Sequence, residues 1–260
     1  MRRFAERAAS RFVKGYATLQ ARRLHRYEAG MCARFARCLV VTEVDGRALR
    51  QMAPDARIEV IPSGVDTEWF DPALVPSSGS PEPHRLVTTG DYSWPPTADG
   101  LEDFVFRVYP LIRRAVPDVT LSVVGHRPPA SVVRTAAQTG ITVLGRVEDV
   151  RPAVLSGAVF VVPTRIGSGI RLKILEAMAL RRPVVSTSVG CEGIEATPGE
   201  HLLVADDPEG FVGHVVQLLG DPALGQRLAA AAARLIERRY AWTAIADRLN
   251  EVYRTVVSER

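Results

Sequence analysis

Short apolar runs alternate with amphipathic segments along most of this chain. Between residues 85 and 204, runs of four to six residues rich in β-branched side chains recur, often ending at Gly or Pro. Runs of this length and composition are typical of buried strands, whereas the segments between them carry apolar residues at helical spacing. Strands that alternate with helices predict a Rossmann-like α/β fold, with a parallel sheet covered by helices on both faces.

The pattern places the elements as follows. The predicted strands cover residues 85–89, 119–124, 141–144, 158–163, 183–187 and 201–204. The predicted helices cover residues 99–116, 131–138, 149–155, 208–219, 222–238 and 243–257. A further predicted helix starts at about Ile170 and is ended by Arg181-Arg182-Pro183. The chain before residue 70 predicts a partial α/β segment, with a basic helix, strands at 38–42 and 58–62, and a helix capped by Thr42.

The stretch from Ala158 to Gly193 carries the strongest chemical signal. It combines a strand, a Gly-Ser-Gly turn at residues 167–169, an amphipathic helix and a second strand. Such a turn exposes backbone N–H groups at a helix N-terminus, where the dipole favours an anion. Arg171 and Lys173 lie at the same helix start, which is unfavourable for cations unless a negatively charged ligand binds. We interpret the turn as a diphosphate site; the alternative is a solvated helix start with a Lys173–Glu176 surface ion pair.

This stretch resembles the donor-binding segment of family 4 glycosyltransferases, which have the GT-B fold. Leu175-Glu-Ala-Met-Ala179 and Arg182-Pro-Val-Val185 match that family's motifs almost completely. The pattern Gly-Ser-Gly-x-Arg-x-Lys-x-Leu-Glu is similar to a variant branch found among bacterial exopolysaccharide-type sugar transferases. In this pattern, Ser168 stands where the family usually has its first Glu, and Arg171 where it has its second Gly. The resemblance extends from about Arg37 to the end of the chain.

The resemblance implies a retaining transferase that uses a nucleotide-diphosphate sugar, in cell-surface polysaccharide or glycoconjugate synthesis, without a metal or other cofactor. Cations at the helix start would stabilise the charge that develops on the leaving diphosphate. Glu176 would bind the ribose hydroxyls, and the backbone around Arg146 and Val147 would bind the base. Glycines follow several of the predicted strands, and we expect them to border one ligand-binding crevice at the carboxyl ends of these strands. The candidate catalytic residues are Arg171 and Lys173, and the candidate substrate-binding residues are Gly90, Arg146, Val147, Gly167, Ser168, Gly169, Ile170 and Glu176.

Other classes of function remain open at this point. A non-catalytic nucleotide-binding or interaction domain and a sugar-nucleotide 2-epimerase of the same fold are the alternatives. A Rossmann dehydrogenase is disfavoured because no G-x-G-x-x-G motif follows a strand. We interpret His126 as incidental and Asp206-Asp207 as the start of a helix, and the three cysteines as reduced thiols.

The charge of the chain is uneven. Its 260 residues have a net charge of +4, yet the first 28 contain eight Lys and Arg against two Glu. This basic head, which includes Phe4 and Phe12, predicts a solvated helix, a contact with an anionic membrane surface or, without any supporting motif, a nucleic-acid contact. No apolar run reaches the roughly 18 residues of a membrane span. We expect a cytoplasmic protein that contacts the inner face of the membrane and binds no nucleic acid.

The resemblance also predicts a domain organisation. Residues 1–70 correspond to a remnant of the N-terminal, acceptor-side domain, 71–84 to a linker, 85–238 to the donor-binding domain and 239–260 to a crossover helix. Two complete GT-B domains need roughly 300 residues or more. We therefore expect nucleotide binding with little sugar transfer to a lipid-linked or polysaccharide acceptor. We also expect self-association or a separately supplied N-terminal half.

Overall fold

The computed structural model describes residues 11–76, 80–136, 138–167 and 169–259. Their packing separates two compact units. The first unit contains the described residues up to Pro62 and those from Ala246 onward, and the second runs from Ser63 to Ile245. The basic head lies partly outside the described ranges, as do the side chains of Phe4 and Phe12.

The first unit is a small α/β assembly. Its strands β1 (Cys38–Val40) and β2 (Ile58–Val60) pair in parallel. Its helices are α1 (Arg11–Cys32) and α2 (Glu43–Met52). The hydroxyl of Thr42 accepts a hydrogen bond of 3.0 Å from the amide of Asp45, so the predicted helix cap is confirmed. Glu259 binds Arg37 and Arg57 at 2.7 and 2.5 Å, which attaches the end of the last helix to this unit.

The second unit is built on a parallel sheet. Its strands are β3 (Glu82–Asp91), β4 (Thr120–His126), β5 (Ile141–Gly145), β6 (Gly157–Val162), β7 (Val184–Ser186) and β8 (Leu203–Val204). In the described part of the chain these six strands pair in the order β5-β4-β3-β6-β7-β8. The chain therefore starts in the middle at β3, adds two strands on one side, and returns to add three on the other. The boundary between β3 and β6 is the topological switch point of the sheet.

Helices cover both faces of this sheet. They are α3 (Pro95–Asp103), α4 (Tyr109–Ala115), α5 (Ala130–Ala136), α6 (Arg151–Leu155), α7 (Leu172–Ala179), α8 (Pro208–Gly220), α9 (Pro222–Arg239) and α10 (Trp242–Ser258), whose last residues belong to the first unit. Leu86 packs into one buried cluster with Phe104 and Phe211, whereas its neighbour Val87 packs into the other with Ile174. Successive side chains of β3 thus point to opposite faces of the sheet and pack into two different cores. The predicted fold class is confirmed.

The segment between β3 and β4 differs from the single helix predicted over residues 99–116. The structure starts α3 at Pro95 and inserts a π-helical turn, Phe104–Val108, before α4. The amide of Tyr109 donates to the carbonyl of Phe104, five residues earlier. Pro110 explains the insertion, because a proline inside a helix cannot donate a backbone hydrogen bond and clashes with the preceding turn.

Residues 71–84, which the sequence suggests as a linker, belong to the second unit. Asp71 caps a 3₁₀ helix, Pro72–Leu74, and Val75 is 5% exposed within the core beside α7. Strand β3 already begins at Glu82. The side chain of Val75 therefore attaches this proline-rich segment to the core. The assignment of residues 1–70 to a remnant domain stays a prediction.

Candidate active site

The candidate site lies at the carboxyl ends of β3 and β6. The loop after β3 starts at Tyr92 and leads into α3; the loop after β6 starts at Pro163 and leads into α7. These strands flank the switch point, where the loops of a parallel sheet commonly diverge and form the crevice that binds ligands. The Gly-Ser-Gly turn lies in the second of these loops.

Lys173 connects the two sides of the switch point. It lies in the first turn of α7, and its ammonium group donates a 2.5 Å hydrogen bond to the carbonyl of Thr89 in β3. A Cβ atom added to Gly90 would lie 3.1 Å from the Lys173 nitrogen and 2.7 Å from the methyl group of Thr97 at the start of α3. Gly90 therefore leaves the space in which Lys173 and the start of α3 come together.

Arg171 lies one position before α7. Its φ and ψ angles of −93° and 94° are extended, so it occupies the N-cap position outside the helix. Its guanidinium donates to the carbonyl of Gly169, and it would lie 2.7 Å from a Cβ atom on Gly167. In a regular helix Arg171 and Lys173 would point about 200° apart, but the N-cap conformation frees Arg171 from this constraint. Both cations are therefore compatible with one ligand.

The glycine turn depends on backbone conformations that other residues rarely adopt. Gly167 has φ of 126° and Gly169 has φ of 87°. A side chain at either position would be strained, which explains the sequence choice in physical terms. Ser168, the middle residue of the turn and a candidate substrate-binding residue, lies outside the described residues. Its predicted contact with the donor stays a prediction.

Electrostatics at the start of α7 favour an added negative charge. Burial, together with the charge of Arg171, lowers the pKa of Lys173 to about 8 despite the opposing effect of Glu176. Burial raises the pKa of Glu176, an effect that Lys173 partly offsets. Both side chains are half-buried. The first turns of α3 and α7 contain no acidic residue, and neither helix has a side-chain cap. An anion bound here would compensate the buried cation and the two helix N-termini.

The other candidate residues lie around this centre. Ile170 precedes α7, whose predicted start was two residues too early, and packs against the core that contains Ile174. Arg146 is exposed and Val147 packs against the same core. They follow β5, two strands away from β3. The structure thus joins Gly90 to Lys173 and Arg171 to the glycine turn by contact, whereas the proposed base-binding segment lies further along the sheet edge.

Sequence analysis did not identify one ionic cluster beside the crevice. Arg165, in the loop after β6, binds Asp99 and Asp103 of α3. The two aspartates are four residues apart and so lie on one face of that helix. This spacing was visible in the sequence, but the pairing required the knowledge that β6 adjoins β3.

The residues that the structure describes contain neither a metal-binding cluster nor a membrane-spanning helix. His, Cys, Asp and Glu side chains in these ranges do not gather in groups of three that could hold a metal ion. No helix within the same ranges is long and apolar enough to cross a membrane.

Comparisons with known proteins complete the description of the site. Residues 83–221 match the family model described as Glycosyl transferases group 1. A phosphatidyl-myo-inositol mannosyltransferase of Mycobacterium tuberculosis is 26% identical over 206 residues, which cover 75% of this chain and 53% of that protein. An uncharacterized 44.6 kDa protein in the cps region of Klebsiella pneumoniae is 26% identical over 165 residues, covering 60% of this chain and 42% of that protein. The chain spans about half the length of these curated relatives.

A solved structure shares the fold. HepE of Anabaena, in complex with UDP-glucose, superposes with a TM-score of 0.70 at 15% identity, over 89% of this chain and 67% of that one. At this identity the likeness concerns the fold, and it agrees with the α/β architecture expected from the sequence.

Proposed function

Because this chain belongs to the group 1 glycosyl transferases, we propose that it binds the diphosphate of a nucleotide-diphosphate sugar at the switch point and acts in transferring the sugar to an acceptor. One observation carries this proposal. Lys173 places a half-buried cation beside the glycine turn, at a helix start that Arg171 makes still more positive. Without an anionic ligand this arrangement is unfavourable, since burial and like charge both act against the protonated lysine.

In this proposal the protein's own cations stabilise the charge of the leaving diphosphate. As the bond between the sugar and the diphosphate breaks, negative charge grows on the leaving phosphate. Lys173, Arg171 and the backbone N–H groups of the turn stabilise that charge in place, and preorganised groups do so without a reorganisation cost. Glu176, one turn further into α7, accepts hydrogen bonds from the ribose hydroxyls. The reaction retains the anomeric configuration and needs no metal ion or other cofactor.

The names of the relatives support the choice of substrates. HepE was solved with UDP-glucose, and the mycobacterial relative is named for mannosyl transfer to phosphatidyl-myo-inositol. The Klebsiella relative lies in a cps region. We propose accordingly a nucleotide-sugar donor and a lipid-linked or polysaccharide acceptor, with synthesis at the cytoplasmic face of the membrane. Contact of the basic head with anionic lipid stays a prediction.

Titration of nucleoside diphosphates tests the proposal. Arg171→Ala and Lys173→Ala should each weaken the binding of the nucleoside diphosphate that the chain prefers among UDP, GDP and ADP by roughly 1.5–3 kcal/mol. Binding of the bare nucleoside should change little, because it lacks the phosphates. Arg114→Ala is the control, since this exposed arginine ends α4, at the opposite edge of the sheet. Unchanged affinities in both site variants would exclude a diphosphate site at α7.

A further inference from the structure

Arg165 connects the loop after β6 to helix α3 at the switch point. Its Nε and Nη2 atoms donate to the carboxylate of Asp99 at 3.0–3.2 Å, and its Nη1 donates to Asp103 at 2.7 Å. Arg165 and Asp99 are 39% and 37% exposed, whereas Asp103 is only 14% exposed. A guanidinium that binds two carboxylates, one of them through two nitrogens, is held in a defined orientation.

Pro163 and Thr164, which precede Arg165, are also held by contacts with neighbouring elements. The carbonyl of Thr164 accepts a hydrogen bond from the hydroxyl of Thr187, which follows β7. Gly100 of α3 approaches Pro163 so closely that a Cβ atom there would lie 2.6 Å from the proline carbonyl oxygen. The first residues of the loop after β6 are therefore held by Thr187 as well as by α3, and Arg165 is the last of these attachments before the glycine turn.

The other end of the turn is attached to β3 through Lys173. Between Arg165 and Lys173 lie two glycines with positive φ, Gly167 and Gly169. Glycines increase the number of backbone conformations that a loop can adopt. The geometry of this loop therefore depends on the contacts at its two ends. Both attachments lead to the β3–α3 side of the switch point. The position of the turn relative to the start of α3 is thus fixed by Arg165 at one end and Lys173 at the other.

We propose that Arg165 is a positioning residue for the diphosphate site: it holds the glycine turn against α3 so that the turn, Arg171 and Lys173 meet the diphosphate in one geometry. This inference rests on the proposed function. Arg165 is not itself a phosphate ligand in this scheme, because its Nε, Nη1 and Nη2 atoms already donate to Asp99 and Asp103. It acts through the loop, by limiting the conformations that a ligand would otherwise have to select.

The test compares Arg165→Met with a matched control, Arg107→Met. Arg107 also binds Asp103, at 2.9 Å, and lies four residues after it in the same helical segment. Its ion pair thus stays within that segment, whereas the pairs of Arg165 connect the segment to the loop after β6. The titrations use UDP, GDP and ADP, each beside its own nucleoside. Arg165→Met should weaken diphosphate binding about tenfold, as expected for a displaced binding group, whereas nucleoside binding and both affinities of Arg107→Met should stay unchanged.

Two further measurements separate positioning from general stability. Hydrogen exchange of residues 163–171 in the ligand-free chain should be faster in Arg165→Met than in Arg107→Met. Arg165→Lys should restore part of the diphosphate affinity, because a lysine can replace one ion pair but not the bidentate contact. Asp99→Asn, which keeps the shape of the partner, serves as a milder second variant and should shift the affinity in the same direction.

The outcomes distinguish this inference from the proposed function. A native chain that binds no nucleoside diphosphate, or binds it equally well after Arg171→Ala and after Lys173→Ala, overturns both. If Lys173→Ala weakens binding and Arg165→Met does not, only the role of Arg165 is overturned. Equal losses of diphosphate and nucleoside affinity in Arg165→Met would also overturn it, since they would indicate a general structural effect.

Discussion

At the start of α7 a single side chain balances opposing electrostatic effects. Burial and the neighbouring Arg171 disfavour the protonated form of Lys173, while Glu176 favours it, and the pKa falls from 10.5 to about 8. The hydrogen bond to the carbonyl of Thr89 keeps the nitrogen in place. A diphosphate would add the missing negative charge and raise this pKa again, because an opposite charge stabilises the protonated form.

The affinity for a nucleoside diphosphate should therefore depend on pH. Below pH 8 Lys173 is protonated in the free chain, and binding requires no uptake of a proton by this group. Above that value the free lysine loses its proton while the bound one keeps it, so the dissociation constant should rise by up to tenfold per pH unit. Calorimetric titrations on both sides of pH 8 measure this slope. Arginine keeps its charge in this pH range, so Lys173→Arg should remove the pH dependence. A native chain with constant affinity would contradict the lowered pKa of Lys173.

The residues of the site differ in how far the sequence could predict them. Gly167 and Gly169 were predictable, because a turn before a helix start needs backbone conformations that only glycine adopts freely. The proximity of Arg171 and Lys173 to that turn followed from their spacing. The partner of Arg165 was not predictable, since Asp99 lies 66 residues away and the pairing depends on the strand order.

At the scale of elements, β3 and β4 approach each other unusually closely where they end. Gly90 and Gly125 are register partners in this parallel pair. Gly125 has φ of 136°, and a Cβ atom there would lie only 1.8 Å from the carbonyl oxygen of Gly90. Near its carboxyl end, β3 therefore leaves no space for a side chain between its backbone and that of β4.

Gly125→Ala should consequently destabilise the second unit by at least about 3 kcal/mol, because the backbone of β3 or β4 must move and the new residue is strained. Denaturant unfolding measures this loss. Gly145→Ala is the matched control: Gly145 also ends a strand with positive φ, of 68°, but a Cβ atom there meets nothing within 4 Å. It should cost only about 1–2 kcal/mol, the cost of a left-handed conformation. Equal losses in both variants would show that the close approach is unimportant.

The observed ends of the helices and strands show which local sequence signals predict them correctly. Helices with a polar cap were placed within a residue: Asp207 and Asp221 accept hydrogen bonds from Gly210 and Leu224, and α8 and α9 begin where the sequence predicts. The segment around Pro110 was missed as a π turn, although the proline gave a signal. Strand β8 is two residues shorter than predicted, because His201 accepts a hydrogen bond from the amide of Thr197 in a preceding turn.

At the scale of the whole molecule, the second unit extends beyond the donor-binding domain expected from the sequence, residues 85–238. Val65 exchanges backbone hydrogen bonds with Tyr240 and Trp242, at 2.7 and 3.3 Å. Arg151, 6% exposed, stacks on the ring of Trp69 at 3.5 Å and donates to its carbonyl at 2.7 Å. Periodicity could not predict these contacts, because they join residues that are far apart in the sequence.

A comparison of two fragments tests this boundary. The fragment 63–245 keeps every residue of both buried clusters, and we expect it to unfold cooperatively and to bind a nucleoside diphosphate as the full chain does. The fragment 85–238 loses Tyr240, which is 1% exposed, and also removes the carbonyl and ring that partner the buried charge of Arg151. It should be less stable by at least about 3 kcal/mol, the scale of losing one large core side chain.

Denaturant unfolding and titration with UDP, GDP and ADP measure both properties of each fragment. Trp69→Leu in the longer fragment isolates one contribution, since it removes the stacked ring but keeps the carbonyl, and should cost about 1–2 kcal/mol. If the shorter fragment proved as stable as the longer one, residues 63–84 and 239–245 would be accessory, and the boundaries expected from the sequence would be the correct ones. If the longer fragment failed to fold, the independence of the second unit would be refuted.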